Sequence, residues 1–141
     1  MQSNSEQDTI NIAKNFASNL KGGEVVCLNG NLGAGKTTFM KGVAEYFGIN
    51  KDEIISPTFI IANKLNTNNS SSIINNIIHI DAYRIEDADN MLETGILEYF
   101  GDINSIVFIE WSENIKKFLP ENNININFEI LGEGLRNINI Q

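Results

Sequence analysis

Residues Gly30 to Thr37 read G-N-L-G-A-G-K-T, a complete G-x-x-x-x-G-K-[ST] run. An apolar stretch, Val25-Val26-Cys27-Leu28, precedes it, and a pattern of helical spacing follows it. That context predicts a strand delivering the chain to a glycine-rich loop whose backbone N–H groups curl around an anion. The helix behind the loop points its positive end at the same anion. Lys36 is placed to reach the β- and γ-phosphates of a nucleoside triphosphate, and Thr37 to offer its hydroxyl to Mg²⁺.

The length of 141 residues suits one domain with a single core. No uninterrupted apolar stretch approaches the ~18 residues of a membrane span, and the first residues lack the basic and apolar regions of a signal peptide. The expected location is therefore cytoplasmic, with no membrane partner. Cys27, the one cysteine, falls inside the first apolar strand and reads as a buried structural thiol. Eighteen acidic residues against ten basic ones leave a net charge of −8, without the basic face that grips a nucleic-acid backbone. If an RNA is involved, a partner must hold most of it.

Helical spacing of Ile10, Ala13, Ala17 and Leu20 predicts a first helix over 5–20. Ser5 caps it, and Asp8 stands where a capping box has Glu or Gln. A second helix is predicted from Gly35 to Phe47, with Phe39, Met40, Val43, Ala44 and Phe47 on its core face. Ser56-Pro57-Thr58 opens a predicted strand, Phe59–Ala62, and the middle of the polar stretch 63–76 reads as an exposed hairpin-like loop. Ile77–Asp81 and Ile106–Glu110 are apolar strands that each end in a carboxylate. An acidic segment, helical or partly so, is predicted over 86–100 and a short helix near 113–119. The alternation of Ile124, Ile126, Phe128 and Ile130, the turn at Gly132-Glu133-Gly134, and Ile138 and Ile140 predict an antiparallel hairpin. The sum is an α/β fold. A mostly parallel sheet carries the phosphate loop, with antiparallel edge strands, a C-terminal hairpin and flanking helices.

Ligands of such sheets gather at the carboxyl ends of the strands, so Gly30, Asp81 and Glu110 should surround one site. Asp81 and Glu110 both fit the carboxylate that a phosphate-loop enzyme keeps near Mg²⁺, and the sequence does not rank them. Each can bind the metal directly or through water, can orient the attacking water, or can simply cap a loop. Thr58 reads either as a switch threonine contacting the γ-phosphate or Mg²⁺, or as the start of a strand after a proline turn. Asn63-Lys64-Leu65-Asn66 lacks the aspartate of a guanine-reading motif. Trp111, the only tryptophan, is either core or an aromatic at the mouth of a site. His79 reads as a packed core histidine. Arg84 is close enough to pair with Asp81 or to approach the phosphates.

In order, L-N-G-N-L-G-A-G-K-T-T-F, S-P-T-F, H-I-D-A-Y-R, L-E-T-G-I-L-E-Y-F and F-I-E-W-S-E resemble the TsaE (YjeE) family over nearly the whole chain. The phosphate loop alone is generic; the S-P-T, H-x-D-x-Y-R and I-E-W blocks at these spacings are specific. The resemblance implies a small bacterial ATPase with ATP and Mg²⁺ as its cofactors. Such proteins support formation of threonylcarbamoyladenosine next to the anticodon of tRNAs reading A-starting codons. It implies the TsaD and TsaB proteins as partners, with tRNA met indirectly through them. It also implies that Gly33, Ala34, Gly35, Lys36, Thr37 and Thr38 hold the phosphates and that Thr37 and Glu110 hold Mg²⁺. Lys36, Asp81 and Glu110 then form the hydrolytic machinery, Thr58 belongs to the switch-like loop, and Trp111 to the nucleotide or partner surface. Glu6 matches where the chain passes near the adenosine. Asn31 and Ala82 depart from the aspartate and leucine common at those places. A small-molecule kinase would need a lid with arginines, and this chain has only Arg84 and Arg136. A nucleotide-sensing adaptor without hydrolysis is the remaining alternative.

Overall fold

The structure, a computed structural model, describes residues 1–54, 62–68, 72–85 and 90–141. Its strands are β1 (Gln2–Ser3), β2 (Val25–Asn29), β3 (Ala62–Asn66), β4 (Asn76–Asp81), β5 (Ser105–Glu110), β6 (Ile124–Gly132) and β7 (Leu135–Ile140). They form one seven-stranded sheet in the order β1-β7-β6-β2-β5-β4-β3. The four central strands β6, β2, β5 and β4 run parallel, while β1, β7 and β3 pair antiparallel at the flanks. The α/β architecture read from the sequence is the one observed.

Period-two alternation sorts the central side chains onto two buried faces. Val26, Leu28, Ile77, Ile106, Phe108, Ile126, Phe128 and Ile138 face α1 (Glu6–Ala17) and α2 (Lys36–Tyr46). Val25, Ile78, Ile80, Val107 and Ile109 pack on the opposite side with Met91, Ile96 and Ile115. Cys27 is buried, and burial pushes its thiol pKa up, which keeps it protonated and unreactive.

Ser5 caps α1 as expected: its Oγ accepts from Asp8 N–H at 3.1 Å, and Asp8 Oδ2 accepts from Asn4 N–H at 3.0 Å. Small residues then bring α1 against α2. A Cβ on Gly42 would lie 2.6 Å from Ala13 Cβ and 2.6 Å from the Ile10 carbonyl oxygen. Phe39 of α2 stacks edge-on with Phe128 of β6, centroids 5.4 Å apart, and so seats the helix on the sheet.

The structure sharpens three local expectations. The strand expected to end at Ala62 runs on into the polar stretch, where Asn63–Asn66 continue it as β3, in register from Ala62↔Ile80 to Asn66↔Asn76. Only Leu65 of that edge strand is buried, so its alternation is too thin to read. The expected strand residues 59–61 lie outside the described residues, as does Thr58. Of the 86–100 helix, residues 86–89 also lie outside. The rest divides into α3 (Asn90–Glu93) and a 3₁₀ turn, Ile96–Tyr99, parted by Gly95 at φ 72°. The segment after β5 is 3₁₀ rather than α, Ser112–Phe118, kinked at Ile115. No helix of the described residues is long and apolar enough to cross a membrane.

Because Gly42 sits at the closest approach of the two helices, Gly42→Val should destabilise the fold by about 1–3 kcal/mol through overpacking. Urea denaturation read by circular dichroism checks this, and a midpoint equal to that of the parent would contradict the contact.

Candidate functional site

The loop between β2 and α2 is shaped by glycines that a side chain could not replace. Gly35 has φ 109° and forms the N-cap of α2, and a Cβ on Gly30 would lie 2.7 Å from the Phe128 carbonyl oxygen. Gly33 is exposed at φ 78°, and the buried Ala34 closes the turn by donating its N–H to Asn31 O at 3.0 Å. No side chain caps α2, and no acidic residue stands in its first turn. The first intrahelical bond runs from Phe39 N–H to Gly35 O, so the amides of Lys36, Thr37 and Thr38 have no helical carbonyl to meet. Uncapped donors and the helix dipole leave that end positive.

Lys36 adds a full charge there. It is largely buried, and its Nζ donates to the carbonyls of Gly30 and Asn31. Those partners are neutral; no carboxylate of the described residues pairs with it. Thr37 and Thr38 follow, both half-buried.

Two clefts flank the loop. One, of about 270 Å³, brings Glu6, Gly33, Gly35 and Thr38 together with Ser5, Thr9, Gly134 and Arg136. The other, of about 160 Å³, brings Lys36, Gly30, Asn31 and Asn29 together with Trp111 and Glu113.

The parallel ladder brings the carboxylates level with the loop. Leu28 is the partner of Glu110, and Glu110 the partner of Asp81. Alternation puts His79, Asp81, Phe108 and Glu110 on the face that carries α2. Glu110 is 7% exposed, and its Oε2 lies 3.1 Å from His79 Nε2; Oε1 accepts no hydrogen bond from a described residue. Asp81 is half-buried, and its Oδ1 accepts from Tyr83 N–H at 3.0 Å, so one of its oxygens caps the loop after β4. No group of three or more His, Cys, Asp or Glu side chains among the described residues could hold a metal. The donor chemistry that remains among the described residues is a hydroxyl and one open oxygen on each of Glu110 and Asp81. That suits Mg²⁺, which takes one or two carboxylates and completes its shell with phosphates and water.

Trp111 is neither core nor relaxed. It is 43% exposed, lies at φ 59°, and is the one non-glycine at positive φ among the described residues. Its ring meets that of exposed Tyr83 with centroids 4.9 Å apart. Asn114 joins the two loops beneath this pair by donating Nδ2–H to Ala82 O at 2.9 Å. Reading the sequence missed three of these residues. His79 carried a signal, since two residues before Asp81 is the same strand face. Tyr83 had none beyond proximity. Arg136, noted only for its scarcity, donates Nη2–H to Gly33 O at 3.3 Å from 103 positions away, and no local pattern announces that.

A glycine-shaped loop between a parallel strand and an uncapped helix, with carboxylates ending the neighbouring strands, defines a phosphate-loop NTPase-like protein. The profile of the family described as "Threonylcarbamoyl adenosine biosynthesis protein TsaE" matches residues 3–138. The chain is 41% identical to the tRNA threonylcarbamoyladenosine biosynthesis protein TsaE of Rickettsia typhi, covering 94% of this chain and 88% of that protein. It is 39% identical to the protein of the same name from Aquifex aeolicus, covering 96% and 90%. It is also similar to the crystal structure of Bacillus subtilis YdiB, with TM-score 0.74 and 32% identity, covering 98% of this chain and 80% of that one. The chain belongs to the TsaE family.

Asn114→Ala should remove one of the two donors to the Ala82 carbonyl, leaving Ile85 N–H, and cost about 0.5–1.5 kcal/mol. Urea denaturation measures the cost. Hydrogen exchange should quicken in the loops after β4 and β5; unchanged exchange there would show that Asn114 does not tie them.

Proposed function

We propose that this chain is a Mg²⁺-dependent ATPase that supports formation of threonylcarbamoyladenosine in tRNA by acting on the TsaD–TsaB pair in the cytoplasm. One observation carries the nucleotide part: the uncapped start of α2, with Lys36 behind a glycine turn and no acid among the described residues to neutralise either. Buried positive groups without an anionic partner are costly, and a triphosphate supplies the missing charge. The family's name supports the pathway.

The residues divide the work by position. Backbone N–H groups from Gly33 to Thr38 bind the phosphates. Lys36 leaves its two carbonyl partners for the β- and γ-phosphates, which bear charge that those carbonyls lack. Thr37 and Glu110 hold Mg²⁺, which when bound offsets the charge that develops on the phosphates during transfer. Asp81 accepts a hydrogen bond from the attacking water and aligns it with the γ-phosphorus, while Tyr83 N–H keeps its carboxylate in place. Glu6 and Arg136 flank the nucleoside end of the 270 Å³ cleft. By the family resemblance, Thr58, which lies outside the described residues, is assigned to contact with the γ-phosphate or Mg²⁺. Trp111 and Tyr83 form the aromatic surface through which the nucleotide state is read by the partner.

The acidic chain does not grip tRNA by itself, because phosphate neutralisation by basic residues supplies much of nucleic-acid affinity. Its role is an ATP-driven conformational step on partners that already hold the tRNA.

Lys36→Ala should weaken Mg²⁺·ATP binding at least about tenfold, or ~1.4 kcal/mol, with an unchanged circular dichroism spectrum. Asp81→Ala should lower turnover more than affinity. Calorimetry and phosphate release separate the two, and undiminished binding by folded Lys36→Ala would refute the site. With TsaD, TsaB and threonylcarbamoyl-AMP supplied, repeated rounds of tRNA modification should require both this chain and hydrolysable ATP. Repeated turnover without either would refute the coupling.

A further inference from the structure

His79 interrupts an otherwise continuous apolar run, Ile77-Ile78-His79-Ile80, in the middle of the parallel sheet. It is 1% exposed, and an isoleucine there would pack as its neighbours do. A buried imidazole is stable only where its polar atoms find partners, and replacing such polar pairs by apolar ones is often neutral or stabilising. Stability therefore gives no reason for a histidine. Its partner does: Nε2 lies 3.1 Å from Glu110 Oε2, across from β4 to β5.

We infer that His79 is a positioning residue for the Glu110 carboxylate, fixing which of its oxygens is presented to the divalent cation of the nucleotide. The inference rests on the proposed role of Glu110 as a metal ligand. A metal-bound carboxylate is ionised and accepts only, so the ring nitrogen facing it carries the hydrogen. Glu has three side-chain torsions, and a ligand free to sample them loses affinity to its own entropy. Donation from a ring locked in the core removes that freedom and occupies Oε2. It leaves Oε1, the oxygen with no hydrogen bond from a described residue, as the one available to the cation. Hydrogen-bond partners behind metal ligands typically change metal affinity by about ten- to a hundredfold.

The test uses His79→Leu, which removes the donor at similar volume, and His79→Gln, which keeps an amide N–H within reach of Oε2. Mg²⁺ is titrated into each ADP-loaded protein by calorimetry, and ADP affinity is measured separately in EDTA. His79→Leu should need about tenfold more Mg²⁺ while metal-free ADP affinity stays within about twofold; His79→Gln should recover most of the loss. An unchanged Mg²⁺ requirement in His79→Leu, or a His79→Gln as impaired as His79→Leu, overturns the inference. Glu110→Gln distinguishes the two levels. If it raises the Mg²⁺ requirement and His79→Leu does not, only the role of His79 falls. If neither does, the metal role of Glu110 falls with it. Should His79→Leu not fold, the unmodified chain suffices, since His79 is its only histidine and its ring signals need no assignment by mutation. Its Nε2–H resonance should shift as Mg²⁺ saturates the ADP complex, and a resonance indifferent to Mg²⁺ overturns the inference.

Discussion

The parallel pairing of β2 with β5 and of β5 with β4 sets the level at which the chain can do chemistry. In a parallel ladder the carboxyl ends of neighbouring strands finish together, and here Leu28, Glu110 and Asp81 are register partners in sequence across the sheet. The loop that follows β2 therefore opens beside both carboxylates. Alternation then chooses the face. A slip of one residue in β5 would move Glu110 to the side of Val107 and Ile109, away from α2. Register is held against such a slip because both faces are buried, each by its own apolar cluster.

Around that frame, charge is distributed unevenly on purpose. The start of α2 concentrates positive potential with Lys36, while the rest of the chain carries an excess of acids. Bulk acidity disfavours indiscriminate contact with nucleic acid, while the local positive potential at α2 is the feature on which the proposed nucleotide binding rests. The aromatic pair of Tyr83 and Trp111 sits where the two loops after β4 and β5 are tied by Asn114. Asp81 thus adjoins one end of that tie, Ala82, and Glu110 lies on the strand that leads into the other.

The sequence was most legible where local chemistry and tertiary demand agree. The strand–loop–helix unit, the Ser5 cap, the apolar run 106–109 of β5 and the terminal hairpin all follow from spacing, because each buries what its own pattern exposes. It was least legible where a residue answers to something far away. β3 contributes one buried side chain, Leu65, and owes its existence to the hydrogen bonds of β4. The 3₁₀ segments around Ile96 and Ile115 lack the length that makes helical periodicity count. Among site residues, Lys36 and Glu110 are announced by their motifs. His79 reads as core and is core, yet its partner is a site carboxylate. Arg136 reaches the loop only because β7 folds back beside β6.

The strand order also decides when this site can come into being. β2, made early, has neither neighbour in place until β5 and β6 have been made, some 80 and 100 residues later. Nor does Arg136 reach the loop before β7 joins β6. A nascent chain carrying the complete phosphate-loop motif is thus still without the walls that hold it. The candidate site therefore forms late during synthesis, as the consequence of sheet closure rather than of the motif having been translated.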